Sequence, residues 1–320
     1  MKLLLMRCMR PPVRPLSRRP AACLLALLAS ACTDTRVAGG ADVITVLNAG
    51  ALARPLRASV DSFARANGLR HLRVEQENAG SIETARKITE LGRTADVVAL
   101  ADTALFSRLL APKLAGPVVP LGRTRMVLAY TPRSRGAREI SVANWYRILT
   151  RPEVEVGRSD PTLDPAGYRA LFLFQLAERH YGVPGLAARL EAAAPARNMR
   201  PKSADLVALL QTGNLDYAWE YESVARNLGL TYLRLPPEID LGEPADAALY
   251  RAASVVIKNG GGGGGRGEAQ PIVLRGAPIV FGAATLKSAP HGTIGSRFIT
   301  YLTSPAGRAV LASYHLDPLQ

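Results

Sequence analysis

Apolar positions along this chain fall into two alternating periods. Val43-Ile44-Thr45-Val46-Leu47 is a β-branched run that closes on Asn48-Ala49-Gly50, which predicts a strand and a turn. Leu52, Leu56, Val60 and Phe63 then recur at helical spacing up to Asn67-Gly68. The same alternation continues. Leu72–Gln76 reads as a strand, Ile82, Ala85, Ile88 and Leu91 as a helix face, and Asp96–Leu100 as a buried parallel-type strand. After Pro117–Gly122, read as a break, Arg125–Tyr130 opens a second series. It contains a helix at Trp145–Leu149, a short strand at Val154–Gly157 and a long helix running to Tyr181. Ser203 reads as the N-cap of a helix over Ala204–Gln211. Asp216–Tyr221, Thr231–Leu235, Ala252–Lys258 and Pro278–Ala284 read as strands, with helices at Ser223–Asn227, Gly292–Leu302 and Pro305–Tyr314. Repeated βα units predict a layered α/β fold with largely parallel sheets, and the length of 320 residues suits two domains.

The N-terminus breaks this pattern. Six basic residues from Lys2 to Arg19 precede the apolar run Ala21–Ala31, which is the order of an export signal. Its end, Leu28-Ala29-Ser30-Ala31-Cys32, resembles a bacterial lipoprotein box. That resemblance makes residues 1–31 a signal peptide, Cys32 the lipid anchor and 32–41 a tether. Thr33, rather than Asp, follows Cys32, so retention at the inner membrane is not implied. Composition adds little beyond this. The chain is 48% hydrophobic and 21% charged, which excludes a wholly disordered protein. Its net charge of +14 overstates the basicity of the exported part. Taking six basic residues from 40 leaves 34 against 26 acidic ones, with no Lys/Arg block, so a solvated surface and no nucleic-acid partner is expected. Asn259–Gly267 is glycine-rich and reads as a flexible insertion.

Enzyme signatures are missing: there is no GxSxG, Walker loop or HExxH, and the four histidines are scattered without metal spacing. What remains is a set of polar turns between strand and helix, at Gly50, at Gly80-Ser81 and at Asp164–Gly167. Such turns gather at one edge of an α/β sheet, where ligands bind, and helix N-termini there favour anions. Asp164 before Pro165 is equally a good N-cap with Pro at N1, and Ser81 equally a cap. Glu220 falls in a strand of buried character, where a carboxylate needs a partner. A ligand or an arginine such as Arg169 would serve.

Four stretches together resemble the molybdate/tungstate-binding proteins of ABC importers, in their archaeal-type variety. They are Glu77–Ile88 (with Asn78-Ala79-Gly80-Ser81), Thr94–Asp102, Asp164-Pro165-Ala166-Gly167-Tyr168-Arg169 and Asp216–Ala225. Pro278–Gly282 and Ser304–Gly307 extend the match, which runs through most of 43–319. The resemblance implies a periplasmic-binding-protein type II fold, with two α/β lobes, a two-strand hinge and a ligand cleft between them. Lobe one would be 42–123 plus 281–320 and lobe two 124–280. It also implies a monomeric periplasmic receptor, held to a membrane by its lipid, that hands an oxyanion to an ABC permease and uses no cofactor. In the family, serine hydroxyls and backbone amides hold the oxyanion while one Asp and one Glu approach its metal. These map here onto Ser81, Asp164 and Glu220, with Glu222 as the alternative glutamate on the same expected strand face. Gly50, Ala51, Ala166, Gly167 and Tyr221 would complete the surround. The family's first Gly-Ser-Leu turn is Gly50-Ala51-Leu52 here, so one hydroxyl donor is absent. A hydrogen bond to a charged group is worth roughly 1.5–3 kcal/mol, which leaves the identity and tightness of the ligand open. Two other readings stand beside this one: a receptor or sensor for sulfate or phosphate, and an exported enzyme that uses its carboxylates as acid and base.

Overall fold

The computed structural model describes residues 42–258 and 271–319. The export signal, Cys32, the tether and the glycine-rich segment lie outside the described residues. Two five-stranded sheets organise the chain. The first has the order β2 (Arg73–Ala79), β1 (Val43–Ala49), β3 (Val97–Leu100), β12 (Ile279–Thr285) and β4 (Val119–Thr124). The second has the order β7 (Met199–Arg200), β6 (Val156–Ser159), β8 (Tyr217–Tyr221), β5 (Met126–Tyr130) and β9 (Thr231–Arg234). A separate antiparallel ribbon pairs β10 (Ser254–Lys258) with β11 (Pro271–Arg275).

The sheets are mixed, where the sequence pattern suggested largely parallel ones. β1 runs parallel to β2 and β3, and β6 parallel to β7 and β8. The strands next to the crossings between sheets reverse. β12 is antiparallel to β3 and β4, and β5 to β8 and β9. Pro117–Gly122 is not a break, because β4 occupies most of it. Pro120 is tolerated there because β4 is an edge strand. Only Arg125 separates β4 from β5, so the chain passes from one sheet to the other with almost no slack.

The amphipathic helices cover these sheets as their spacing demands. α1 (Ala53–Ala66) buries Leu56, Val60 and Phe63 on one stripe. Phe63 meets Phe298 edge-on, with ring centres 5.5 Å apart, and lies 5.6 Å from Tyr301. α2 (Ser81–Thr89) follows β2 directly. The second sheet carries α3 (Trp145–Leu149), α4 (Pro165–Tyr181), α5 (Leu186–Ala193), α6 (Leu206–Thr212) and α7 (Glu222–Asn227). Two single-turn helices follow, α8 (Pro237–Asp240) and α9 (Ala247–Tyr250). α10 (Gly292–Thr303) and α11 (Pro305–Ser313) return to the first sheet, so the C-terminal segment completes the lobe that the N-terminal segment begins. The core of the second lobe centres on Trp219, which makes edge contacts with Trp145 at 5.6 Å and Phe174 at 5.3 Å. Leu186–Ala193 and the β11 strand carried no clear periodic signal, the first because it is short and alanine-rich.

Candidate functional site

The strand-to-helix turns of the two lobes face each other. After β2, Gly80 enters α2 in extended conformation and presses on the other lobe. A Cβ placed on it would lie 2.3 Å from the carbonyl oxygen of Leu163 and 3.1 Å from that of Pro201. The Leu163 carbonyl accepts hydrogen bonds from the amides of Ile82 at 3.0 Å and Glu83 at 3.2 Å. One lobe therefore caps the first helical turn of the other, meeting donors that a helix cannot satisfy internally. The turn after β1 is met in the same way. Gly50 faces the aliphatic stem of Lys202 and the methyl of Ala204. The structure thus brings Gly50-Ala51 and Gly80-Ser81 against segments 161–167 and 201–204.

Asp164 and Glu220 are joined through one residue, Ser203. The backbone amide of Ser203 donates to Asp164 Oδ2 at 2.8 Å. Its hydroxyl donates to Glu220 Oε1 at 2.7 Å, and the amide of Tyr221 donates to the same oxygen at 2.8 Å. Ser203 is therefore not the simple N-cap its sequence suggested. It opens a 3₁₀ turn before α6 with its hydroxyl turned to Glu220. Asp164 does occupy the N-cap position of α4 with Pro165 behind it, and its carboxylate turns to the Ser203 amide.

Both carboxyls are almost fully buried, Asp164 at 4% exposure and Glu220 at 1%. Burial pushes the Asp164 carboxyl up to about 6, against the Ser203 amide, the nearby Ser159 hydroxyl and the Ala166 amide, which favour its charge. Burial also pushes Glu220 up to about 8, and the proximity of Asp164 adds to the rise. The second oxygen of Glu220, Oε2, has no hydrogen-bond partner among the described residues. A buried carboxyl oxygen without a partner is costly.

Glu222 is in a different place from the one its spacing suggested. The strand ends at Tyr221, and Glu222 begins α7. Its oxygens pair with Arg234 Nε at 2.8 Å and Arg125 Nε at 3.1 Å, and accept from the Tyr232 hydroxyl at 3.1 Å. Arg125 also reaches Asp240 at 3.2 Å. Glu222 thus belongs to an ion network at the crossing between sheets.

The remaining expected residues divide. Ser81 is fully buried, and its hydroxyl accepts from the Ala101 amide at 2.9 Å, which leaves its own proton free to donate. The Gly167 amide is taken by the Asp164 carbonyl at 3.0 Å, so it serves the helix turn. The missing Cβ of Gly167 matters more, since that carbon would sit 2.4 Å from the Ser159 carbonyl oxygen. Ala166 is buried in the same turn. Tyr221 is buried, and its hydroxyl accepts from Arg169 Nη1 at 2.7 Å. Arg169 is therefore not the partner of Glu220. It also donates to the Ala101 carbonyl at 2.6 Å and lies 3.3 Å from Asp102. Ser203, Lys202 and the Leu163 carbonyl were not legible as site components. The Pro201-Lys202-Ser203 turn before a helix was the only local signal.

Residues 44–317 match the family described as bacterial extracellular solute-binding protein. A solute-binding protein of Petrotoga mobilis is 38% identical over 238 residues, which is 74% of this chain and 72% of that one. The molybdate/tungstate-binding protein WtpA of Pyrococcus abyssi is 32% identical over 298 residues, covering 86% of this chain and 84% of its own. Among solved structures, the periplasmic molybdate-binding protein of Azotobacter vinelandii aligns with a TM-score of 0.60 at 16% identity, over 87% of this chain and 100% of that one. Likeness at that identity concerns the fold, which is the two-lobed periplasmic-binding-protein type.

Proposed function

The chain belongs to the bacterial extracellular solute-binding family, and from that premise we propose that it captures molybdate or tungstate outside the cytoplasmic membrane and delivers it to an ABC importer. It is a receptor and not an enzyme. The observation that carries the ligand assignment is the carboxyl pair, Asp164 and Glu220, held by one serine beside a helix N-terminus of the opposite lobe. A carboxylate next to a sulfate or phosphate dianion is repulsive. The same carboxylate becomes attractive if its oxygen bonds an electrophilic metal centre, as molybdenum or tungsten in an oxyanion provides. The pair would then favour those anions and disfavour sulfate and phosphate. The identity of 32% to a protein named for molybdate and tungstate supports this reading.

In the mechanism, Ser81 would donate its hydroxyl proton to one oxyanion oxygen, and the amides of Ala51 and Ala166 would serve others. Asp164 and Glu220 Oε2 would approach the metal. Ala51 stands where the resemblance calls for a serine, and its amide is the donor left at that position. Lobes 42–123 with 281–320 and 124–280 would close about Arg125 and the return into β12. Cys32 would carry the lipid. Titrating the protein by calorimetry with molybdate, tungstate, sulfate and phosphate tests the assignment. Submicromolar binding of the first two alone is expected, and equal binding of sulfate would refute it.

A further inference from the structure

The closed cleft holds a second polar assembly beside the carboxyl pair. Asp102 follows β3 in the first lobe, while Tyr168 and Arg169 sit on α4 in the second. The Tyr168 hydroxyl donates to Asp102 Oδ2. Arg169 Nη2 lies 3.3 Å from the same oxygen, and Arg169 Nη1 donates to the Ala101 carbonyl at 2.6 Å. All three of these contacts cross from lobe to lobe. Within its own lobe, Arg169 keeps the Tyr221 hydroxyl at 2.7 Å.

Resting on the binding reading above, we infer that Asp102, Tyr168 and Arg169 form a clasp that holds the lobes shut and sets how long the anion stays bound. Three observations carry this. First, Arg169 is only 3% exposed, and a buried guanidinium is tolerable only while it is paired. Its anionic partner is in the other lobe, so the burial is justified in the closed form alone. Second, the clasp is continuous with the site. The Ala101 amide donates to the Ser81 hydroxyl oxygen, the Ala101 carbonyl accepts from Arg169, and Tyr221 links Arg169 to the backbone beside Glu220. Third, Tyr168 is one helical turn beyond Asp164 on α4, so a rigid movement of α4 that brings Asp164 to the anion brings Tyr168 and Arg169 to Asp102. Arg169, matched by Asp102 and Tyr221, is a positioning residue with no free donor directed at the ligand among these contacts.

A clasp made only in the closed form slows opening without changing encounter, so its loss is read in dissociation. Asp102→Asn keeps the shape and removes the charge. Rapid-mixing kinetics with tungstate should give a dissociation rate about tenfold faster in that variant, with association within about twofold of the parent. Tyr168→Phe should give a smaller acceleration. A role confined to stability would instead lower the melting temperature and leave the dissociation rate alone. An unchanged dissociation rate in a normally folded Asp102→Asn protein overturns the clasp. If the parent protein binds neither molybdate nor tungstate, the functional reading fails by itself, and solution scattering of the ligand-free proteins decides the clasp. Asp102→Asn should then be measurably more extended than the parent, and identical scattering curves would refute it.

Discussion

Gly80→Ala is a perturbation whose effect can be worked from one contact. The backbone at Gly80, with φ −64° and ψ 151°, suits alanine, so the change carries no local strain. The added carbon would meet the Leu163 carbonyl oxygen at 2.3 Å and its carbon at 2.8 Å. Ordinary contact needs about 3.4 Å or more, so the lobes must separate there by roughly 1 Å. That separation breaks or stretches the two hydrogen bonds from Ile82 and Glu83 to the Leu163 carbonyl. At about 0.5–1.5 kcal/mol each, the closed form loses roughly 1–3 kcal/mol. Because each 1.4 kcal/mol is tenfold, affinity for tungstate should fall by about five- to a hundredfold. The contact lies between lobes, so each lobe should keep its own core and the ligand-free protein should still melt cooperatively. Calorimetry with tungstate and thermal melts, each on parent and variant, read the two quantities separately. Parental affinity in Gly80→Ala would refute the claim that closure at this turn is coupled to binding.

Ser203→Ala removes the hydroxyl that orients Glu220 and spares the amide that serves Asp164. Tungstate affinity should fall about tenfold, and an unchanged calorimetric isotherm would show that Glu220 is oriented by other means. The carboxyl pair also makes ligand-free stability depend on pH. Each folded pKa is raised, Asp164 from 3.8 to about 6 and Glu220 from 4.5 to about 8. Their stabilisation as neutral acids is therefore complete below the unfolded values and is lost as pH rises through the folded ones. Melts should show the ligand-free protein more stable at pH 5.5 than at 8.5, by on the order of 3 kcal/mol. Glu220→Gln should flatten that slope, and an equally steep slope in the variant would assign it elsewhere.

Much of the fold was legible because its elements are periodic. The stripe of Leu56, Val60 and Phe63 and the strand Tyr217–Tyr221 were read directly from spacing. Pairing direction was not, because β5 and β12 reverse through crossings that leave no local mark. β4 was hidden by its proline, Pro120, whose lost donor matters little at a sheet edge. At the site, Asp164 and Glu220 were picked out by the family resemblance, since local sequence read Asp164 equally as a cap and Glu220 only as an acid in a buried strand. Ser203 did not, since a serine before a helix reads as a cap whichever way its hydroxyl turns. Glu222 had the right residue type and was separated from Glu220 only by where the strand ends. The clasp was illegible for a different reason. Asp102 and Arg169 are far apart in sequence, and only the closing of one lobe on the other brings them together.

Before binding, Asp164 and Glu220 together hold about one proton at pH 7, and both would meet the metal of the bound anion as carboxylates. At pH 7 a Glu220 of pKa about 8 is about nine-tenths protonated, and an Asp164 of pKa about 6 is about one-tenth protonated. Both must be ionised to bond the metal, so binding should release about one proton per anion. Calorimetric titration with tungstate at pH 7, in two buffers of different ionisation enthalpy, measures that number. Release of about one proton is expected, falling towards one-tenth in Glu220→Gln. Net proton uptake, the mark of carboxylic acids donating to the oxyanion's oxygens, would contradict it.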